Sequence, residues 1–195
     1  MSRSYKGGEF EREICKLLSY WWTEGMRDDV FWRSSQSGGR ATLRARKGKE
    51  TYGSYGDIAA VDPIGDPLLK MFTIELKRGS SYGCLGDLLD FKLENSRHPW
   101  VAALLQAIRA HQAAKSHAWM MICKRDFRLP IVYMERRIFH YLQPTPIVTD
   151  RQVMRMSLTI KDNKREVSLL ILGLSLDDFF SALSPSQIIQ RIKKP

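Results

Sequence analysis

The chain has 195 residues, 44% of them hydrophobic, a formal net charge of +10 and a pI near 9.7. That length and apolar content suit one domain with a full core, and the excess of Lys and Arg suits a polyanionic partner. There is no apolar run of about eighteen residues, no basic amphipathic helix, no secretory leader pattern and no P-loop or dinucleotide fingerprint. A membrane-bound protein and a P-loop enzyme are thereby set aside, and an intracellular, cytoplasmic protein is expected. Cys15, Cys84 and Cys123 are odd in number and widely spaced, as reduced thiols are. His98, His111, His117 and His140 lack zinc-ligand spacing with cysteine, and His111 is expected at the surface.

In chain order, Phe10, Ile14, Leu17, Leu18 and Trp21 recur at helical spacing and predict an amphipathic helix over about residues 8–22. At about 100° per residue, Glu11 falls at one edge of the apolar stripe and Glu13 at the other. Residues 29–33 predict a first strand. A small-residue loop over 34–39 follows, whose backbone N–H groups can cradle a phosphate; Ser34, Ser35 and Ser37 are its equivalent candidates. Arg40, Arg44, Arg46, Lys47 and Lys49 then form a basic run, with no acidic residue between Arg33 and Lys49 and with Tyr52 and Tyr55 close behind. Such side chains contact phosphates without sequence preference, and tyrosines stack on unpaired bases, so this stretch is expected to contact nucleic acid and to order on binding.

Residues 56–61 predict a short strand that opens with Asp57. Residues 70–79 predict another, in which side chains alternate between faces. Phe72, Ile74 and Leu76 line one face, and Thr73, Glu75 and Lys77 the other. On a solvated strand Glu-x-Lys is an ordinary surface ion pair. On an apolar strand that should be buried, the charges must pair, bind a metal or do chemistry. Further on, Asp87 and Asp90 are placed on the polar side of a short amphipathic piece. Pro99 opens a longer helix at a position that tolerates proline, with Val101, Leu104, Leu105 and Ile108 at core spacing and Gln106, Arg109 and Gln112 on its other faces. Two apolar strands follow over 118–123 and 130–134. The final third predicts a hairpin over 153–172 and two short helices over 176–183 and 185–192; it carries no motif, though Arg191, Lys193 and Lys194 offer further basic surface.

The aspartate-led strand, the Glu75-x-Lys77 strand and the order helix, three strands, helix, two strands together resemble the PD-(D/E)XK nuclease superfamily over about residues 6–135. The stretch Lys6-Gly7-Gly8-Glu9-Phe10-Glu11-Arg12-Glu13 is similar to the opening helix of archaeal Holliday junction resolvases, which start Lys-Gly-x-x-x-Glu-Arg-Glu. The resemblance implies an α/β, restriction-endonuclease-like fold, a mixed sheet flanked by helices. Residues 1–195 would form a single nuclease domain, with 145–195 as a C-terminal extension of a hairpin and short helices. It implies a homodimeric endonuclease that hydrolyses DNA, with branched DNA such as a Holliday junction as a candidate substrate and one or two Mg²⁺ or Mn²⁺ ions per site. Asp57, Glu75, the backbone carbonyl of Leu76 and Glu11 (Glu13 as runner-up) would surround the metal. Lys77 would orient the attacking water or neutralise charge on the phosphate. A serine of the 34–37 loop would lie near the cleaved phosphate, and a glutamine of the long helix would support the site or, as expected for Gln112, touch DNA. Two departures stand out: Gly56 replaces the usual proline, and the basic stretch is longer than the link in the archaeal enzymes. A phage or restriction-type nuclease acting on duplex DNA fits the same residues. So does an inactive DNA-binding module, which the joint presence of Glu11, Asp57, Glu75 and Lys77 argues against.

Overall fold

The computed structural model describes residues 3–34, 55–82, 88, 98–143, 152–162 and 165–193. Helix α1 (Arg3–Trp22) buries Phe10, Ile14, Cys15, Leu18 and Trp22. Its stripe is rotated slightly from the expected one, for Leu17 is 38% exposed while Cys15 and Trp22 face inward. Two tryptophans anchor the end of this helix: Trp22 Nε1 donates to Ile64 O (2.7 Å) and Trp21 Nε1 to Leu183 O (3.1 Å). The buried hydroxyl of Ser19 donates to Cys15 O and accepts from Phe31 N, which hangs the next strand on the helix.

That strand, β1 (Phe31–Arg33), runs antiparallel to β2 (Ile58–Ala60), with Trp32 opposite Ala59. After β2 the chain forms α2 (Asp66–Met71), with Pro67 in its first turn, where a missing N–H costs nothing. Lys70 and Met71 therefore close a helix and do not open the strand, a correction to the expected 70–79 run. A helix of six residues is too short for its periodicity to stand out. The strand itself, β3 (Phe72–Arg78), starts directly at the helix end.

β3 forms one edge of a five-stranded sheet of order β3-β4-β5-β7-β6. The crossover helix α3 (Pro99–Ala114) makes β4 (Ala118–Lys124) parallel to β3, with Glu75 opposite Met121 and Lys77 opposite Cys123. β5 (Ile131–Glu135) is antiparallel to β4. An unexpected short helix, α4 (Arg136–Leu142), follows it and buries Phe139 and Leu142. The C-terminal hairpin, β6 (Val153–Asp162) and β7 (Arg165–Ser175), joins the sheet itself: β7 pairs with β5, Val132 lying opposite Leu174. α5 (Leu176–Ala182), whose N-cap Ser175 accepts from Asp178 N, and α6 (Pro185–Lys193) end the described chain. The fold is thus α/β with a mixed sheet flanked by helices, as the resemblance implied.

Each face of the sheet has its own core. On one, Phe72, Ile74 and Leu76 of β3 meet α1, Phe31, Phe179 and Ile188; on the other, Trp119, Met121 and Tyr133 pack with Trp100 and Leu104 of α3. Cys15 and Cys123 are buried free thiols, each pushed up to about 12 chiefly by burial; Cys84 lies outside the described residues. Among the described residues no helix is long and apolar enough to cross a membrane.

Ile188 of α6 is fully buried in the same cluster as Leu68 and Phe72. Ile188→Ala is expected to lower the unfolding free energy by about 2–5 kcal/mol in one transition with the rest of the chain. A separate early transition in calorimetry would show instead that α6 is not integral to the core.

Candidate active site

The predicted alternation along β3 is present. Phe72, Ile74 and Leu76 point into the α1 core, and Glu75 and Lys77 point to the α3 face. Glu75 is only 1% exposed. Its Oε1 accepts from Lys77 Nζ and, at 2.6 Å, from Gln106 Nε2 reaching across from α3.

Asp57 is brought to the outer edge of β3 by two backbone–backbone bonds and two that involve a side chain. Its amide donates to Ile74 O (2.8 Å), its carbonyl accepts from Ser34 N (2.9 Å), and Ser34 Oγ donates to Gly56 O (2.8 Å). Its carboxylate in turn accepts from Leu76 N at 2.7 Å. Gly56 stands where the superfamily usually has proline, and its geometry explains why. It lies at φ +79, and a Cβ there would come within 2.6 Å of Ile74 O. Proline, locked near φ −65°, cannot take that conformation. The tight glycine turn does here what proline does elsewhere, setting the aspartate against the neighbouring strand.

Glu11 of α1 is mostly buried and is bound by Arg33 Nε at the end of β1. The guanidinium lies over Gly8, where an added Cβ would be 3.2 Å from Arg33 Nη1. An alanine there would crowd the guanidinium by a few tenths of an ångström, against the roughly 0.5–1 kcal/mol that glycine costs inside a helix. Glu11 is near enough to Asp57 for its charge to be felt there. Glu13, the alternative, reaches away to Lys124 Nζ (2.7 Å).

Electrostatics bind these groups into one unit. Burial, and next the charge of Glu75, push the Asp57 carboxyl up to about 7, against the opposing pull of Lys77 and the Leu76 N–H. Burial alone would lower the Lys77 pKa, but the charges of Glu75 and Asp57 outweigh it and hold the ammonium above its usual range. Two carboxylates forced together out of water repel, and a proton or a cation relieves them. Their oxygens are the hard donors that Mg²⁺ or Mn²⁺ takes, so the residues present fit a divalent ion. Among the described residues no three acidic, imidazole or thiol side chains lie close enough to share one; Asp57 and Glu75 are the two carboxylates whose charges act most strongly on each other, with Glu11 on Arg33 acting more weakly.

The remaining candidates fall elsewhere. Ser34 is 3% exposed with its hydroxyl committed to Gly56, so it braces the Asp57 turn and does not face a phosphate. Ser35, Ser37, Arg40, Arg44, Arg46, Lys47, Lys49, Asp87 and Asp90 lie outside the described residues. Gln112 is exposed and takes no part in the carboxylate cluster; the glutamine of α3 that does is Gln106. The signal for it was its position between Ala103 and Ala107, small buried residues that bring the helix close to the sheet. His111, expected at the surface, is half-buried and bonded through Nδ1 to Ser116 Oγ (3.0 Å).

An aspartate turned against a sheet edge, a Glu-x-Lys on that edge strand and a carboxylate from the opening helix define the PD-(D/E)XK class of nucleases. The sequence matches the family described as "Phage putative PDDEXK endonuclease" over residues 2–190, and the chain belongs to that family. No curated protein and no solved structure matches it.

Two outcomes follow from this geometry. Gly56→Ala is expected to lower stability by more than about 1 kcal/mol, because it adds left-handed strain to a clash with backbone; an unchanged melting temperature would refute the described turn. For Asp57 the folded pKa lies above the unfolded value near 3.8. Its protonated form thus contributes stability that is complete below about pH 4 and lost as pH rises through about 7. In EDTA, Asp57→Asn is expected to melt above the parent at pH 8, the gap closing toward pH 5. Parallel pH profiles for the two proteins would contradict the raised pKa.

Proposed function

We propose that the chain is a divalent-metal-dependent DNA endonuclease. The observation that carries this reading is the half-buried Asp57 carboxylate, held on β3 within the field of buried Glu75 and beside Lys77. Asp57, Glu75 and the Leu76 carbonyl would hold Mg²⁺ or Mn²⁺. Such an ion, when bound, lowers the pKa of water and offsets charge on the phosphate. Glu75 is kept in place by Gln106, and burial keeps water from competing for its oxygens. Lys77 has N–H donors beyond the one given to Glu75; these orient the attacking water or neutralise the phosphate oxygens as charge develops. Glu11 completes the acidic wall, with Arg33 balancing it. The basic stretch from Arg40 to Lys49, together with Ser35 and Ser37, would hold the DNA backbone, in keeping with the net charge of +10.

Among DNA substrates we favour the four-way junction, cut by a homodimer with one site per arm pair, because of the Lys6 to Glu13 stretch on α1. The direct test is incubation with linear, single-stranded, supercoiled and four-way-junction DNA, with and without Mg²⁺ or Mn²⁺, with sedimentation to give the oligomeric state. Junction cleavage no faster than that of linear duplex would refute the junction preference and leave a duplex nuclease.

Asp57→Ala and Glu75→Ala should each reduce metal-dependent cleavage by more than about 10²-fold with the fold intact by circular dichroism. Lys77→Ala should slow it by about 10²-fold or more while metal binding persists. Gln106→Ala should slow it by about 10–100-fold, as loss of a group that orients a ligand does. Undiminished cleavage by Glu75→Ala would place the chemistry elsewhere. Replacing Arg44, Arg46 and Lys47 together with alanine should weaken binding to all DNA sequences alike and shallow the salt slope by about 0.9 per lost phosphate contact. A triple variant that binds normally but melts much lower would instead give these residues a structural role.

A further inference from the structure

A second cleft opens on the same sheet face as Glu75, on the other flank of α3. At about 100° per residue, Ile108, His111 and Gln112 lie roughly opposite Gln106 around the helix, and all three line this cleft. Its volume is about 670 Å³, in the range of small-molecule sites. Partly buried Ile108 of α3 and Val167 of β7 supply its apolar wall, over a floor of buried Trp119 and Leu169.

The cleft exists because two neighbouring strands differ in length. β7 runs from Arg165 to Ser175, but its pairing with β5 covers only Ile171 to Ser175. At Glu135 the chain leaves the sheet for α4, so on that side the earlier residues of β7 have no strand neighbour among the described residues. Consecutive residues Val167, Ser168, Leu169 and Leu170 all line the cleft, which means that it runs along the edge of the strand and not merely over one face. A strand edge carries alternating N–H donors and C=O acceptors, and Leu170 beside it is 56% exposed.

The opposite rim is basic. Arg136, Arg137 and His140 of α4 line it against the single carboxylate of Glu135, to which Arg137 Nε donates at 2.6 Å. The site thus combines an apolar slot for a flat ring, a backbone edge that can pair with donors and acceptors on the ring's rim, and two guanidiniums suited to phosphate. A long aliphatic ligand would leave the strand edge unpaired.

We propose that this cleft binds a nucleoside phosphate, with the base edge on β7, the ring against Ile108 and Val167, and the phosphate on Arg136 and Arg137. The ligand is either a free nucleotide or the 5′-phosphorylated terminal nucleotide of a strand. The site is separate from the Asp57–Glu75 pair, so occupancy does not depend on the carboxylates or on their cation.

The test is equilibrium binding of the four deoxynucleoside 5′-monophosphates and of a 5′-phosphorylated single-stranded oligonucleotide, in EDTA, to the full chain. The parent and Asp57→Asn should bind alike. Arg136→Ala/Arg137→Ala should bind at least about tenfold more weakly. Val167→Trp, which fills the cleft from a half-buried position on the cleft's own sheet face, should do the same with the fold intact by circular dichroism. Free nucleotides binding in this pattern identify a small-molecule site; the 5′-phosphorylated strand alone, with loss on removing its phosphate, identifies a strand-end site. The proposal is overturned if neither probe binds the parent saturably. It is also overturned if the double variant binds undiminished, or if Asp57→Asn abolishes binding.

Discussion

The rest of the structure depends on holding two like charges together out of water. Asp57 and Glu75 lie on different segments, and each is positioned by groups that have no other evident purpose in the fold. Gly56 gives the sharp approach and Ser34 braces it; the Leu76 amide takes one Asp57 oxygen. Lys77 and Gln106 hold Glu75. Repulsion between buried carboxylates would otherwise push the turn away from β3 or draw water in. The fold answers by pinning both ends to the same strand and by placing one cation within reach. Carboxylates held rigidly against their own repulsion form the kind of site a proton or a cation relieves.

Much of this was legible in the sequence because it rests on local rules. Period-two alternation put Glu75 and Lys77 on one face, and helical spacing put Glu11 at the edge of the α1 stripe. What was not legible depends on packing. Gln106 and Gln112 are both polar positions on one helix, and only the flank that α3 turns toward β3 separates them. Ser34 is one of three similar serines until its hydroxyl is seen to meet Gly56 O. α2 and α4 are too short for their periodicity to register against the strands they adjoin. The hairpin was evident, but its place in the sheet was not, since strand order is set by long-range pairing between residues such as Val132 and Leu174.

The glycines illustrate the same division. Gly8 looks unfavourable in a helix, and Gly56 looks like a defect in a proline-aspartate motif. Each is explained by a partner distant in sequence, the Arg33 guanidinium and the Ile74 carbonyl. At Gly8 the missing Cβ leaves room for the guanidinium that binds Glu11, and at Gly56 it lets the Asp57 turn come against the Ile74 carbonyl. Departures from a family pattern therefore need to be judged by what they let come near.

The Asp57 turn has one consequence outside chemistry. β3 is an edge strand, and a bare edge is a template for pairing with other chains. Here Asp57 N and the Asp57 carboxylate take Ile74 O and Leu76 N, backbone groups that a foreign strand would otherwise use. The segment that carries Asp57 is thus also the guard on the sheet's outer margin, and loosening it would expose a pairing edge as well as displace the carboxylate.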